Sequence, residues 1–498
     1  MEPRVKISNA TLRGNDEGGH LAFLGVPYAI PPVGDRRFRA PEPSPSSVDV
    51  VDATTHGHVC PQDPFVPSSF RASGTESEDC LTLDVRTPAC DDRRRPVMFW
   101  IHGGGFSHGA GSQPPYHGGP LAERGDVVVV NVNYRLGALG YLYLGGHAGD
   151  TWGAAANVGQ LDQITALRWV RDNIEFLGGD PGNITIFGQS AGAAAVATLM
   201  AMPAARGLFH KAIAQSGTAN RLGDTTFAGA MTGRFLERLG VVDADPQRLR
   251  SISVPELLRA QGPRGPLSPV IDGDSLPDNP LATVRRGDAC DIPLMVGTAR
   301  DEQKLYVRAD RSPIDDGELA RQITAILPRR AADRAVEVAE VYRESRTSRG
   351  LPATAHDIVD AVATASRFRF PAVTLAEAQL EHQGDIYLYQ VDWESPARGG
   401  TLGACHGVEI TLVFGTVGID GNDRLAGSGP DVDALMPKMM DAWIAFARTG
   451  SPGHEGIGPW PAYDTDRRAT MIFDRECRVE ETPFEEERAV WASMVGRH

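Results

Sequence analysis

The stretch Asn183-Ile-Thr-Ile-Phe-Gly-Gln-Ser-Ala-Gly192 decides the fold. Ile184 to Phe187 has the β-branched and aromatic content of a buried strand, and Ala191 to Met202 is almost entirely Ala, Val, Leu and Met, suited to a buried helix. Between them, Gly188-Gln-Ser-Ala-Gly192 has the Gly-x-Ser-x-Gly pattern of a sharp strand-to-helix turn. Its two glycines let the backbone bend so tightly that the serine stands exposed at the tip. Ser190 is therefore the candidate nucleophile. The pentapeptide alone would also suit a glycine-rich turn carrying an ordinary serine; the strand before it and the helix after it favour the elbow.

Working outward, Gly159 to Phe176 places Leu161, Ile164, Leu167, Trp169, Val170 and Ile174 near one stripe of a helix, which Gly178-Gly-Asp-Pro-Gly182 ends. Val97 to Ile101 and Val127 to Asn131 are continuous apolar runs, as expected of central strands buried on both faces, and Leu81 to Val85 alternates. Ile292 to Gly297 and Ile386 to Val391 supply two further strands. Strands alternating with helices predict an α/β fold: a mainly parallel sheet with helices on both faces. Helical blocks at Phe227 to Leu239, Glu318 to Ser345 (broken at Pro328) and Ala353 to Leu380 fall between core strands. They read as insertions around 220–265 and 310–382 in a single domain spanning 1–498. Val5 to Leu24 predicts a small antiparallel hairpin decorating one edge, and the Pro- and Gly-rich run Phe23 to Phe38 an irregular loop. Pro41 to Ser47 reads as a surface loop and Glu480 to Glu487 as a solvated acidic face.

Lys plus Arg total 49 against 64 Asp plus Glu, a net charge of -15 with no basic block. That balance argues against nucleic acid or an anionic membrane as partner. No stretch approaches the roughly twenty uninterrupted apolar residues of a membrane span, and Met1-Glu-Pro-Arg-Val-Lys-Ile-Ser lacks a signal-peptide core, so a cytoplasmic protein is expected. The six cysteines are too scattered for a disulfide scaffold and contain no Cys-x-x-Cys pair; Cys60 and Cys80 are the pair to consider for a bridge.

A serine hydroxyl becomes a useful nucleophile when a histidine takes its proton and a carboxylate orients that histidine. On a sheet of this kind the acid and then the histidine follow the serine, each on a loop after a core strand. Of the later histidines, His356 and His382 lie in helical blocks, His454 in a Pro-Gly loop and His498 at the end of the sequence. His406, in Gly403-Ala-Cys-His-Gly407 after the strand ending at Val391, has the expected placement. Asp301 and Glu302 both follow the Ile292 to Gly297 strand, and spacing does not choose between them. An oxyanion needs backbone N–H donors, which Ile101-His-Gly-Gly-Gly-Phe106 offers directly after a strand, together with the N–H of Ala191.

These residues resemble the type-B carboxylesterase and cholinesterase-like family of α/β hydrolases, particularly its bacterial p-nitrobenzyl-esterase-like members. The likeness runs nearly end to end. It includes Gly25-Val-Pro-Tyr-Ala, Ser77-Glu-Asp-Cys-Leu81, Asn133-Tyr-Arg-Leu-Gly137, Gly188-Gln-Ser-Ala-Gly192, Gly207-Leu-Phe-His-Lys-Ala-Ile-Ala-Gln-Ser-Gly217 and His406-Gly-Val-Glu409. The resemblance implies an α/β-hydrolase fold and a serine carboxylesterase acting on a small-molecule ester without cofactor or metal. It implies Ser190, Glu302 and His406 as the triad and the N–H groups of Gly104, Gly105 and Ala191 as the oxyanion hole. It also implies structural ion pairs of Arg37 with Glu78 and Arg135 with Asp162, and a Cys60–Cys80 bridge in secreted members. Amide or carbamate hydrolysis by the same triad, and a non-catalytic binding homologue, are the alternatives. Two positions depart from the family pattern: Gln189 replaces a glutamate before the nucleophile, and Gln303 a glycine after the acid. The substrate pocket is expected among Phe65 to Phe70, Arg264 to Pro266 and Phe368 to Phe370; oligomeric state is left open.

Overall fold

The computed structural model describes residues 2–45, 50–67, 70–145, 156–220, 222–241, 245–262, 267–308, 310–419 and 421–495. Its centre is an eleven-stranded sheet. In chain order the strands are β1 (Asn15–Asp16), β2 (Leu21–Pro27), β3 (Thr82–Thr87), β4 (Arg95–Ile101), β5 (Val128–Val132), β6 (Gly179–Gln189), β7 (Lys211–Gln215), β8 (Leu294–Ala299), β9 (Ile386–Val391), β10 (Thr470–Phe473) and β11 (Arg478–Glu480). They lie in the order β11-β10-β9-β8-β7-β6-β4-β5-β3-β2-β1. From β5 through β10 every pairing is parallel, while β1, β2, β3 and β11 join antiparallel at the two margins.

Strand periodicity divides the core in two. On β4, Val97, Phe99 and Ile101 enter one cluster with Ile184 and Ile186 of β6 and with helices α1 (Val158–Asn173) and α2 (Ala191–Ala201). Met98 and Trp100 face the opposite way, into a cluster with Phe187, Trp443 and Phe446 of the helix Pro430–Thr449. Each central strand is thus apolar on both faces because both are covered by helices. Between β7 and β8 lie helices Thr225–Leu239, Pro246–Ser251 and Val254–Gln261, and between β8 and β9 a second block of helices, Asp316–Ile326, Ala335–Ser348, Ala355–Thr364 and Phe370–Leu380. The break at Pro328 is real: a 3-10 turn, Arg329–Arg334, separates two helices. This second block has its own core of Leu319, Ile323, Val338, Tyr342, Val362 and Trp491.

Three expectations need correction. The Phe23 to Phe38 run is not wholly irregular, since Leu21–Pro27 is strand β2, paired with β3. Its register shifts between Phe23 and Val26, where Gly25 takes φ 65°, so a bulge absorbs the residue that breaks the sequence pattern. The N-terminal segment forms two hairpins: Arg4–Lys6 with Thr11–Arg13 in a separate small sheet, and β1 with β2 in the main one. In the acidic run Glu480 to Glu487, Glu487 is buried, accepts a hydrogen bond from Ser345 Oγ at 3.0 Å and lies 3.2 Å from Arg369. Ser46 and Ser47 of the expected surface loop lie outside the described residues.

Arg37 grips Glu78 through two hydrogen bonds of 2.6 and 2.5 Å, and Arg135 grips Asp162 through two of 2.8 and 2.6 Å, the latter pair fully buried. Cys60 and Cys80 are both buried free thiols. The Cys80 thiol is pushed well up, first by its hydrogen bond with Cys60 and then by burial.

Candidate active site

The elbow is built where β6 stops at Gln189 and α2 begins at Ala191. Ser190 between them takes φ 58° and ψ -121°, a strained conformation for a side chain-bearing residue. Its backbone is held from both sides: Ser190 N–H donates to Gln215 O at 2.8 Å and Ala194 N–H donates to Ser190 O at 2.9 Å. Gly192 is required by space, because a Cβ there would lie 2.0 Å from the carbonyl oxygen of Ile101. The helix start leaves the Ala191 N–H without an intrahelical acceptor.

The loop after β4 lies against this elbow. A Cβ on Gly103 would sit 2.7 Å from Gln189 O and 3.2 Å from Ser190 Cβ. Gly104 and Gly105 take φ 113° and 60°, and neither N–H donates to an acceptor among the described residues. The loop is pinned from behind: Tyr134 OH donates to His102 O at 2.8 Å, and Ser107 and His108 N–H groups donate to Gly104 O. Burial lowers the His102 imidazole to about 4, so a neutral ring stacks on Tyr134 at 4.5 Å between centroids. The arrangement presents free backbone donors beside a serine.

Glu302 opens the short 3-10 turn Glu302–Tyr306 after β8 and is fully buried. Its Oε1 accepts from Ala299 N–H at 2.8 Å, and its Oε2 lies 2.5 Å from His406 Nδ1. Asp301 points elsewhere, bonded to Arg300 at 2.9 Å and to the Ala404 N–H at 3.3 Å. Burial works against its carboxylate, but Arg300 and Lys304 more than offset this and hold its pKa below the ordinary value. Of the two carboxylates that spacing leaves open, Glu302 is therefore the one in contact with His406, while Asp301 braces the loop that carries it.

With Glu302 accepting from Nδ1–H, the other imidazole nitrogen, Nε2, carries the lone pair. Gln189 Nε2 donates to it at 3.1 Å. The ring of His406 packs against Phe368 at 4.9 Å and Tyr306 at 5.4 Å. The Tyr306 ring is half exposed; desolvation of its hydroxyl and then the Glu302 charge raise its phenol above the ordinary value, with Ser190 nearby acting in the opposite direction. Glu302, His406 and Gln189 thus form one hydrogen-bonded chain that ends beside Ser190, with the rings of Tyr306 and Phe368 against the imidazole. His356, His382 and His454 instead bond backbone carbonyls far along the chain, and His498 lies outside the described residues.

Sequence reasoning did not single out Tyr306 or Glu409. Tyr306 stands four residues after Glu302, which was a usable signal once the loop was assigned. Glu409, three residues after His406, is buried, and its Oε1 accepts from Gln215 Nε2 at 3.3 Å. Burial first, then Glu302, raises its carboxyl to about 7. Of the expected pocket residues, Phe368 faces His406 because a π-turn, Ala365–Arg369, interrupts the helical run there. Phe370 turns away onto Trp491, and Phe65 and Phe70 are exposed. Ser68, Ser69 and Arg264 to Pro266 lie outside the described residues.

Comparison with known proteins places this geometry in context. The carboxylesterase family model matches residues 1–491. The chain is 38% identical over 497 residues to the para-nitrobenzyl esterase of Bacillus subtilis, covering 97% of each. It is 35% identical over 491 residues to a phenmedipham hydrolase of Pseudarthrobacter oxydans, covering 95% of each. Among solved structures, a PNB esterase superposes with a TM-score of 0.87 over the whole of both chains at 36% identity. A Geobacillus stearothermophilus carboxylesterase superposes with a TM-score of 0.85 over 98% and 99% of the two chains at 38% identity.

Proposed function

We propose, from the premise that this chain belongs to the carboxylesterase family and is a carboxylic ester hydrolase of α/β-hydrolase fold, that Ser190 is its nucleophile, His406 its base and Glu302 the acid that orients the base. The observation that carries this reading is the hydrogen-bonded chain from the buried Glu302 through His406 to Gln189, the residue next to Ser190 at the elbow. Ser190 Oγ attacks the ester carbonyl carbon while His406 Nε2 takes the hydroxyl proton. The negative charge that develops on the carbonyl oxygen is met by the N–H groups of Gly104, Gly105 and Ala191, which are free to donate without reorganisation. The imidazolium returns the proton to the departing alkoxide, leaving an acyl-enzyme. Water, deprotonated by His406, then releases the acid and regenerates Ser190.

In the resting arrangement Gln189 occupies the nitrogen that must receive the proton. Substrate entry exchanges that contact for a direct Ser190–His406 bond. The whole chain acts as one hydrolase unit, a reading supported by a sheet whose strands run from Asn15 to Glu480. No helix among the described residues is long and apolar enough to cross a membrane. Six unbridged thiols support a cytoplasmic setting, which subcellular fractionation would test.

Ser190→Ala is expected to lower kcat for a p-nitrophenyl ester by roughly a millionfold and to abolish labelling by an organophosphate. Near-normal turnover in the folded variant would rule Ser190 out as nucleophile. A panel of matched esters, amides and carbamates, with esters of increasing acyl length, reads out the substrate preference.

A further inference from the structure

At the margin of the sheet, β1 and β2 are joined by a two-residue turn, Gly18-Gly19, that sets Glu17 directly across from His20, with Glu17 N–H donating to His20 O at 3.0 Å. His20 is only 5% exposed. Its Nδ1 lies 2.8 Å from Glu123 Oε1, on the helix Gly119–Gly125. With Glu123 accepting the Nδ1 proton, the lone pair is on Nε2. Among the described residues that buried nitrogen has no partner in hydrogen-bonding geometry, and Glu17 Oε2 stands 2.9 Å away. His117 approaches from the other side, its Nε2 3.4 Å from the same Glu17 oxygen and its ring edge-on to His20. One ligand atom each from Glu17, His20 and His117 lies within 4.8 Å of the others.

The space for this convergence is provided by two glycines. A Cβ on Gly119 would come within 2.4 Å of His20 Cε1 and 2.7 Å of His117 Cε1, and a Cβ on Gly19 within 2.4 Å of Glu123 Oε1. Side chains at either position would push the imidazoles or the second carboxylate out of place. The positive charge nearby is Arg86, whose Nε is 4.0 Å from Glu17 Oε2.

We propose that Glu17 Oε2, His20 Nε2 and His117 Nε2 form a zinc site, with Glu123 fixing the orientation of His20 through Nδ1–H and water completing the coordination. Two imidazoles and a carboxylate, one imidazole backed by a second carboxylate, are the donor set and supporting shell that zinc takes. Separations of 2.9 and 3.4 Å between ligand atoms suit bonds of about 2.0–2.2 Å to a central ion. Gly119 N–H donates to His117 Nδ1 at 3.3 Å, keeping the proton on Nε2. Coordination moves that proton to Nδ1 at the expense of this long contact. The site lies five strands from β6, about 24 Å at the usual strand spacing, so the ion would staple the edge hairpin to the helix rather than meet the substrate.

The test is calorimetric titration of Zn2+ alone into the full chain after chelator treatment. One equivalent is expected to bind at micromolar or tighter Kd and to raise Tm, and Co2+ in its place should show the visible absorption of a four-coordinate centre. Glu17→Gln and His117→Ala, both at partly exposed side chains, should each weaken binding about 100-fold, and Glu123→Gln about 10- to 100-fold. All three should keep the wild-type rate of ester hydrolysis, which also reports that they fold. Absence of saturable one-to-one binding, or wild-type affinity in folded His117→Ala, would overturn the proposal.

Discussion

Gln189 donates an amide N–H, at 3.1 Å, to the imidazole nitrogen that accepts the Ser190 proton in the proposed mechanism. A carboxylate at that position would instead face the imidazolium that forms during turnover and stabilise it. Gln189→Glu is therefore expected to alter the pH dependence of turnover. The acid limb of the kcat/KM profile should move to higher pH by about one unit, as an opposite charge at close range shifts a titrating group. Cationic esters should gain relative to neutral ones. An unmoved acid limb would show that the residue before the nucleophile does not tune the base. This residue stood out only as a departure from the family pattern, and spacing alone did not choose between Asp301 and Glu302. Adjacent carboxylates in one loop look alike in sequence, and what separates them is direction: one turns toward His406, the other toward Arg300. Tyr306 could be suspected only once that loop was assigned, because its contact with the His406 ring is made across the fold.

At the scale of elements, the strand-turn-helix at β6 and α2 was the most legible part of the chain, because glycine spacing, β-branched content and an apolar helix all agree. The same geometry makes it intolerant. Gly192→Ala would drive a Cβ to 2.0 Å from Ile101 O and 2.9 Å from His102 O, both backbone atoms of the neighbouring strand and its loop, which cannot swing aside. A loss of about 3 kcal/mol or more in urea unfolding is expected. Gly384→Ala, which meets open space, should stay within about 0.5 kcal/mol of wild type. Equal effects from the two changes would count against close packing at the elbow. Strand β2 was less legible because its bulge at Gly25 breaks the two-residue period on which strand recognition depends. The run Glu480 to Glu487 misled for a related reason: its composition is that of a solvated surface, but Ser345 and Arg369, remote in sequence, make a buried place for Glu487.

For the molecule as a whole, the buried carboxyl of Glu409 links stability to pH. Its folded value of about 7 lies above the ordinary 4.5, so between those values the native state holds a proton that the unfolded chain has lost. Stability contributed by this group is full below pH 4.5 and falls as pH rises toward 7, a span worth about 3 kcal/mol. Glu409→Gln should flatten that part of the stability curve in denaturant titrations at a series of pH values; an unchanged slope would show that the group does not titrate there. The overall α/β plan was readable because parallel strands covered on both faces leave long apolar runs, while the strand order was not, since nothing local to β6 states that β4 and β7 flank it. That order has a consequence in time. Gly104, Gly105 and the Ser190 elbow all belong to the half of the sheet made first, but 217 residues separate Gln189 from His406. At ordinary elongation rates the ribosome needs about 10 to 40 s to cover that distance. Through that interval a nascent chain would carry the proposed nucleophile and oxyanion donors without the proposed base, so on this mechanism synthesis itself delays the onset of activity until most of the chain has been made.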